Sequence, residues 1–139
     1  MLKTYNGHEV SVIFGARLLT GLVEGDAVTI ERDTDSWTDS VGLNGEVTRS
    51  GSADKRATVT IRLQQSSSDN DYCSGIVAAD ELAKSGVLPI LVRDSNGNSI
   101  YAAPEAWIQK PTAATFGKEA GEREWVIRCA KVTMFSGGN

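Results

Sequence analysis

The sequence predicts one α+β domain that is mostly β, with two packed antiparallel β-sheets, as in a sandwich or half-barrel, and one flanking α-helix. Three observations predict this class. Several short segments alternate apolar and polar residues, and one later segment has apolar residues at helical spacing. A chain of 139 residues is long enough for one packed core and leaves little for a second. We therefore treat residues 1–139 as a single domain.

Strand patterns dominate the first half of the chain. They are clearest at 56–64, where alanine, valine, isoleucine and leucine at the odd positions alternate with polar residues at the even ones. Residues 8–14 and 27–31 alternate in the same way, and their β-branched residues favour extended backbone. Each of these segments is predicted to bury one face and expose the other.

One helix is predicted in the middle of the chain. Residues 66–69 supply several N-cap candidates, and apolar side chains at helical spacing run from Tyr72 to Ala83. Lys84 lies in the expected last turn, and Gly86 is placed to end the helix.

The second half returns to strands. Residues 88–93 form an apolar run, Asn-Gly at 96–97 favours a tight turn, and 99–102 lead back. A short strand is predicted at 107–108, between two prolines. The segment 124–135 is predicted as one long strand with apolar residues on both faces, typical of a strand inside a sandwich.

A polar segment at 33–55 interrupts this pattern. Loops of this length are uncommon in compact domains, and they are usually functional when they occur. Part of the segment, around 46–49, could form a short strand arm. Trp37 is its one aromatic residue, and two interpretations remain open. It either packs back onto its own domain or anchors a contact with another protein.

Composition and charge argue against several classes of function. The formal net charge is −4 and the sequence pI is about 5.0, which disfavours binding to nucleic acid through phosphate neutralisation. No apolar run approaches the roughly 20 residues that span a bilayer, so we expect no membrane insertion. The N-terminus lacks the apolar stretch of a signal peptide. We therefore expect a soluble protein made in the cytoplasm.

No residue constellation predicts catalysis or a cofactor. Cys73 and Cys129 are far apart without CxxC spacing, and His8 is the only histidine, so neither a disulfide nor a zinc site is expected. The serines at 66–68 beside Asp69 contain residue types of a catalytic triad, but no GxSxG motif accompanies them, and helix capping explains them better. We expect this protein not to be an enzyme.

Two acidic segments are candidates for cation binding. Residues 94–105 partly mimic a calcium loop, but Ser99 stands where that loop needs glycine, and a hairpin turn explains the segment better. The carboxylates of Asp33, Asp35 and Asp39 have a spacing that is far more often simply solvated. We therefore expect no metal site.

The order of segments resembles the tail tube proteins of contractile-tailed bacteriophages. The similarity covers nearly the whole chain, and the joint order of the segments is more specific than any one of them. The matching segments are 21–26 (GLVEGD), 41–50 (VGLNGEVTRS), 57–66 (ATVTIRLQQS) running into Asn70, 105–111 (EAWIQKP), 116–119 (FGKE) and 123–127 (REWVI).

This resemblance implies a structural role. Six copies would form a ring in which each contributes strands to one continuous β-barrel, and the rings would stack into the hollow inner tube of the tail. The tube would carry the genome outward after the surrounding sheath contracts. The implied partners are other copies of the chain, the tail sheath protein, the baseplate and tail terminator proteins, and double-stranded DNA that passes without specific binding. The implied location is the virion tail, assembled in the cytoplasm of the bacterial host.

Two sets of residues acquire expected roles in such a tube. A barrel closed across subunits would remove exposed strand edges, and an acidic bore would repel phosphates. Arg62 would reduce that acidity. The segment 33–55 would contact neighbouring subunits or rings. The contact candidates are Asp33, Asp35, Trp37, Asp39, Leu43, Glu46, Arg49 and Lys55, and the lumen-facing candidates are Thr29, Glu31, Thr58, Thr60 and Arg62.

Two alternatives stay open at this point. The first is a tube protein of a contractile injection or secretion device that carries no genome. The second is a monomeric β-domain that binds a carbohydrate or peptide. The second predicts a concave aromatic patch, whereas the chain has three tryptophans and three tyrosines, mostly within predicted strands.

Overall fold

The structure, a computed structural model, describes residues 2–138 and contains ten β-strands and one α-helix within that range. A short 3₁₀ turn, Gly7–Glu9, precedes the first strand. The elements in chain order are β1 Val10–Phe14, β2 Arg17–Leu19, β3 Val28–Arg32, β4 Trp37–Val41, β5 Val47–Gly51, β6 Ala57–Gln64, α1 Asp69–Ala83, β7 Leu88–Asp94, β8 Ile100–Ile108, β9 Glu122–Cys129 and β10 Thr133–Phe135.

The strands form two antiparallel sheets. The large sheet has eight strands in the order β2-β1-β7-β8-β9-β6-β3, with β10 also paired to β8. The small sheet consists of β4 and β5 and is a hairpin inserted between β3 and β6. The predicted class, mostly β with two antiparallel sheets and one helix, is confirmed. A single copy does not close into a barrel.

The large sheet changes direction where β8 meets β9. Strand β9 pairs with β6 along its whole length, from Glu122 to Cys129. It pairs with β8 only over its last three residues, starting at Ile127. The two strands therefore diverge over the rest of their length. They separate the sheet into a β3–β6–β9 half and a β2–β1–β7–β8–β10 half.

One core joins the two halves. The odd-numbered residues of β6 are buried and the even-numbered ones are not, as the alternation predicts. Trp125 and Ile127 of β9 and Val12 and Phe14 of β1 belong to the same buried cluster. Burial of these large apolar side chains is the main favourable contribution to folding.

Helix α1 covers this core through few contacts. Cys73 and Val77 are buried, and the Tyr72 hydroxyl donates to the carbonyl oxygen of Phe14 at 2.8 Å. The Trp125 indole N–H donates to the side chain of Asn70 at 3.0 Å. The helix ends at Ala83, where Lys84 takes the left-handed conformation with φ 57°. The predicted helix is confirmed, but the residue that terminates it is Lys84 and not Gly86.

Two strand predictions differ from the structure, and two strands were not predicted. Strand β8 is continuous from Ile100 to Ile108, because Pro104, which has no N–H to donate, lies at an irregularity in the β7–β8 register. The predicted strand 124–135 is broken into β9 and β10. Within β9 the apolar residues are buried on one face, since Val126 on the other face is half-buried, and Val132, between β9 and β10, is also buried. Strands β2 and β4 were not predicted.

No helix within residues 2–138 has the length and apolar character to cross a membrane.

Candidate assembly surfaces

The segment 33–55 is a projecting hairpin, which we call the arm. Strands β4 and β5 pair from Trp37 opposite Gly51 to Val41 opposite Val47. The turn is closed by the Gly42 N–H, which donates to the Glu46 carbonyl at 2.7 Å, and Gly45 adopts φ 85° there. Every residue from 33 to 51 is exposed. The arm therefore stands free of its own domain.

The two faces of the arm differ in chemistry. Register and alternation place Trp37, Asp39 and Val41 on one face with Val47, Arg49 and Gly51 of the opposite strand. The other face consists of threonines and serines. We call the first of these the apolar arm face, because its tryptophan is 55% exposed and its valines are 66–67% exposed. The hydroxyl-bearing residues are Thr38, Ser40, Thr48 and Ser50.

Trp37 is held along the arm itself. The Arg49 guanidinium carbon lies 3.8 Å from the centroid of its ring, a cation–π contact. Gly51 leaves the room that this geometry needs, since a Cβ there would lie 3.0 Å from the indole ring. Trp37 does not pack back onto the core, so the first of its two interpretations is wrong. Whether it anchors a partner stays a prediction.

Ionic contacts fix the base of the arm to the domain. Asp33 accepts hydrogen bonds from Arg128, one of them at 3.0 Å, and from the Thr58 hydroxyl at 3.1 Å. The Arg128 hydrogen bond lowers the pKa of the Asp33 carboxyl despite partial burial. Asp54 accepts from Arg56 at 2.9 Å, which lowers its pKa to about 2. The first root of the hairpin is therefore tied to β6 and β9 through Asp33, whereas the Asp54–Arg56 pair is local to the second root.

The other contact candidates lie on or next to the same hairpin. Leu43 lies at the tip and is fully exposed, and Glu46 follows the turn. Asp35 lies between β3 and β4 and is exposed, whereas Lys55 is half-buried at the base of the arm. The eight candidates therefore share one projecting element, but only Trp37, Asp39 and Arg49 share one face of its strands.

The predicted lumen residues share one surface. Thr29 lies opposite Thr60, and Glu31 lies opposite Thr58. These residues and Arg62 alternate with core residues, so all five face away from the core. We call the side of β3, β6 and β9 that faces away from the core the open face.

Strand β9 adds residues to the open face that the sequence analysis missed. Glu124 lies opposite Arg62, and Arg128 lies opposite Thr58. Arg62 is 3.3 Å from Glu124 and 3.8 Å from Glu122. In the sequence, the alternation of Trp125 and Ile127 with Glu124 and Arg128 could have predicted that Glu124 and Arg128 face away from the core. It was obscured because Val126 made both faces look apolar.

The arginines of the open face are neutralised locally. Arg62 lies between two glutamates, and Arg128 is paired with Asp33. Within residues 2–138, no cation lies within ion-pair distance of Glu31. The face therefore presents an unpaired carboxylate, while these two guanidinium groups are already engaged.

Asp69 is a buried carboxylate with three defined hydrogen-bond partners. It accepts from Arg17 Nε and from the backbone N–H groups of Thr20 and Gly21, each at 2.8 Å. Burial raises its pKa, but hydrogen bonds from Gly21, Arg17 and Thr20 outweigh this, and the net pKa is lowered. The cluster joins β2 and the following loop to the start of α1, and it is structural.

The thiols and carboxylates of the described chain form no metal cluster. Cys73 and Cys129 are both buried and unpaired. Burial raises the pKa of Cys73 to about 12 and that of Cys129 to about 11, so both remain protonated thiols. Within residues 2–138, no three histidine, cysteine, aspartate or glutamate side chains are grouped to hold a metal ion.

Comparison with known proteins identifies the class. The family described as bacteriophage PhiTE tail tube protein matches residues 7–137. The chain is also 31% identical over 145 residues to "Structural protein ORF10" of Pseudomonas phage KPP10, covering 99% of this chain and 84% of that protein. The chain therefore belongs to the phage tail tube family, and the family predicted from its segments is confirmed. Its role is structural, as a tube protein of a phage tail and hence a virion component.

Solved structures share the fold at low sequence identity. One is a chain of the extended sheath–tube complex of PVC, an extracellular contractile injection system, with TM-score 0.65 and 10% identity, covering 96% of this chain and 92% of that one. Another is a chain from the tail of an empty GTA particle with C6 symmetry, with TM-score 0.62 and 16% identity, covering 96% and 100%. At such identities these likenesses show the fold alone.

Proposed function

We propose that this chain forms hexameric rings that stack into the inner tube of a contractile bacteriophage tail, a conduit for genome ejection into the host. The main support for this proposal is the exposed apolar surface of the arm. A hairpin with every residue from 33 to 51 exposed, including a tryptophan and two valines, makes no use of its apolar surface in a monomer. Contact with a neighbouring subunit or ring would bury it.

The tube is the context for the other proposed partners. The tail sheath protein would surround it, the baseplate would lie at one end, and the tail terminator would lie at the other. A protein with the same fold occurs in a sheath–tube complex, which supports the sheath as a partner. Assembly would take place in the bacterial cytoplasm. The tube would act by shape and charge without catalysis.

The C6 symmetry of a tail with a similar chain supports a six-fold ring. In such a ring the open face would line the bore. Strand β3 is at one end of the sheet order and β2 at the other, so both present unpaired edges that a neighbouring copy could complete.

The electrostatics of the open face suit passage of DNA. A free arginine in the bore would form charge-assisted hydrogen bonds to phosphates and slow the movement of DNA. Arg62 and Arg128 are engaged with carboxylates of the same chain, whereas Glu31 is exposed and repels phosphate. The pairing of Arg62 with carboxylates explains how it can lie in a bore without binding the genome.

Deletion of the arm tests the assembly role. The Ser52 N–H donates to the Ser36 carbonyl at 3.0 Å, so a two-residue Asn-Gly turn can replace 37–51 without moving the base. We expect the deletion variant to be folded by circular dichroism but to form no tubes in negative-stain electron microscopy. Thr48→Ala, on the hydroxyl face, is the control and should assemble. Normal tube growth by the deletion variant would refute the arm's role.

Labelling tests the position of the open face. Because both native cysteines are buried, Glu31→Cys introduces the one exposed thiol. In assembled tubes it should react with a small maleimide but be protected from a maleimide carried on a large polymer. Glu81→Cys, exposed on α1, should react with both. Equal reaction of Glu31→Cys with the large reagent would place the open face outside the bore.

A tube for a genome-free injection device is the second candidate, and the PVC likeness favours it. Capsid genes beside the gene for this chain would support the phage tail, and their absence would support the injection device. A concentration-independent monomer at high protein concentration would instead favour a ligand-binding domain.

A further inference from the structure

A second unpartnered surface lies on the other half of the large sheet. On β2, β1, β7, β8 and β10, the side chains that face away from the core form two adjacent rows across the strands, which we call the outer rows. Leu18 is 50% exposed, Ile100 is 40% and Phe135 is 58%. The first row is Leu18, Ile13, Leu91, Ala102 and Thr133, and the second is Ser11, Arg93, Ile100 and Phe135.

The outer rows are mostly apolar, with hydroxyls at Ser11 and Thr133 and one charge. A shallow groove runs along Ile13, Leu91 and Ala102, and Arg93 lies beside it in the second row. Arg93 is exposed. No carboxylate among residues 2–138 lies within ion-pair distance of it. The surface therefore combines an apolar groove with a single unneutralised cation.

The apolar arm face carries one carboxylate and one guanidinium. Asp39 lies between Trp37 and Val41 on that face. Its cross-strand partner Arg49 is turned onto the indole ring, and within the described chain no cation lies within ion-pair distance of Asp39. The arm face therefore offers apolar surface and the unpaired Asp39 carboxylate, which complement the apolar groove and the Arg93 guanidinium, while the Arg49 guanidinium is held against the indole ring.

The two surfaces do not meet within one copy. The arm leaves the sheet between β3 and β6, at one end of the strand order, whereas the outer rows begin at β2 and β1, the other end. All arm residues from 33 to 51 are exposed, so the arm of one copy does not cover its own rows. Leu18, Ile100 and Phe135 stay exposed in one copy, so a partner that buries them would come from outside the chain.

We propose that the apolar arm face of one copy docks on the outer rows of another copy, with Asp39 paired to Arg93. This rests on the proposed function, because it names the receiving surface for the arm. Docking would bury Trp37 and the valines of the arm face, and desolvation would strengthen the Asp39–Arg93 pair. The Asp39–Arg93 pair would also set the register of the contact.

A charge swap tests this pairing. Asp39→Arg and Arg93→Asp should each reduce the yield of sedimentable tubes by about tenfold or more, since each places like charges together in the contact. The double variant Asp39→Arg/Arg93→Asp should restore the yield. A 1:1 mixture of the two single variants should also assemble, because each arm then finds an opposite charge on the other copy.

Controls and outcomes separate this proposal from the arm's general role. Glu81→Arg makes the same charge change on an exposed helix residue and should assemble normally. If arm deletion blocks assembly but neither the double variant nor the mixture restores it, the outer rows are not the receiving surface. If arm deletion itself has no effect, the arm's role fails first.

Cross-linking gives an independent readout. The variant Asp39→Cys/Arg93→Cys should form a ladder of disulfide-linked copies on mild oxidation of tubes, seen on non-reducing gels. The matched variant Glu81→Cys/Arg93→Cys should not. A ladder from the matched variant alone, or from neither, would overturn the proposed contact.

Discussion

At the scale of single residues, Asp69 holds three elements together. Its carboxylate binds Arg17 and two backbone N–H groups while the side chain is 1% exposed. Removing a partner from such a buried set leaves other groups unsatisfied, which costs more than an exposed ion pair contributes. The sequence placed Asp69 as a helix-capping residue, but its partners at 17–21 are distant in sequence and could not be predicted from it.

Asp69→Asn should lower the free energy of unfolding by about 1–3 kcal/mol at pH 7, measured by urea denaturation. Because the folded pKa of Asp69 is below the ordinary value of 3.8, its contribution is present above that pH and is lost as the pH falls through the folded pKa. The difference between wild type and variant should therefore shrink in acid. Asp71→Asn, exposed in the same helical turn, should change stability by about 0.5 kcal/mol. Equal losses for both variants would contradict the role of Asp69.

The two thiols should be unreactive in the folded protein. Cys73 and Cys129 are 1% and 0% exposed, and burial raises both pKa values, so little thiolate forms at neutral pH. A chromogenic thiol reagent at pH 8 should label neither within the time that labels both in denaturant. Rapid labelling of the native protein would show that the core opens at α1 or β9.

At the scale of elements, the alternation of apolar and polar residues in β6 was sufficient to predict the strand and its buried face, because the strand buries one face along its whole length. The arm was harder to predict. Neither face of β4 or β5 is buried in the monomer, so no core pattern marks its strands. Strand β9 was misread for the opposite reason, because half-buried Val126 on the open face imitates a second core face.

Removal of the Arg49 guanidinium should loosen the arm. Exposed cation–π contacts contribute about 0.5–1 kcal/mol, so Arg49→Ala should speed hydrogen exchange of arm amides by roughly twofold to fivefold. Exchange in β6, at the core, should not change. Thr48→Ala on the other face is the control, and unchanged arm exchange in Arg49→Ala would show that the stacking does not order the hairpin.

At the scale of the whole molecule, charge and shape are divided between two surfaces. The open face carries charges that are mostly neutralised by neighbours, whereas the arm and the outer rows carry apolar area that the monomer leaves uncovered. The order of segments was enough to predict the family. The pairing of Arg62 and Arg128 with carboxylates needed the strand register, which no local pattern contains.

Charge reversal in the bore should convert a passive tube into one that retains DNA. Glu31→Arg replaces an unpaired carboxylate on the open face with a free guanidinium in every copy, which would bind phosphates. Short double-stranded DNA should then co-sediment with variant tubes at low salt and be released as salt is raised. Wild-type tubes should retain no DNA. If the Glu31→Arg tubes also retain none, the open face does not meet DNA.

Cryo-electron microscopy of the purified, assembled wild-type protein would show whether this chain forms the proposed tube. We expect stacked six-fold rings around an open bore, with the open face of β3, β6 and β9 toward the axis and the arm in contact with another copy. A chain that stays monomeric at every concentration, or a polymer whose open face points away from the axis, would contradict this proposal.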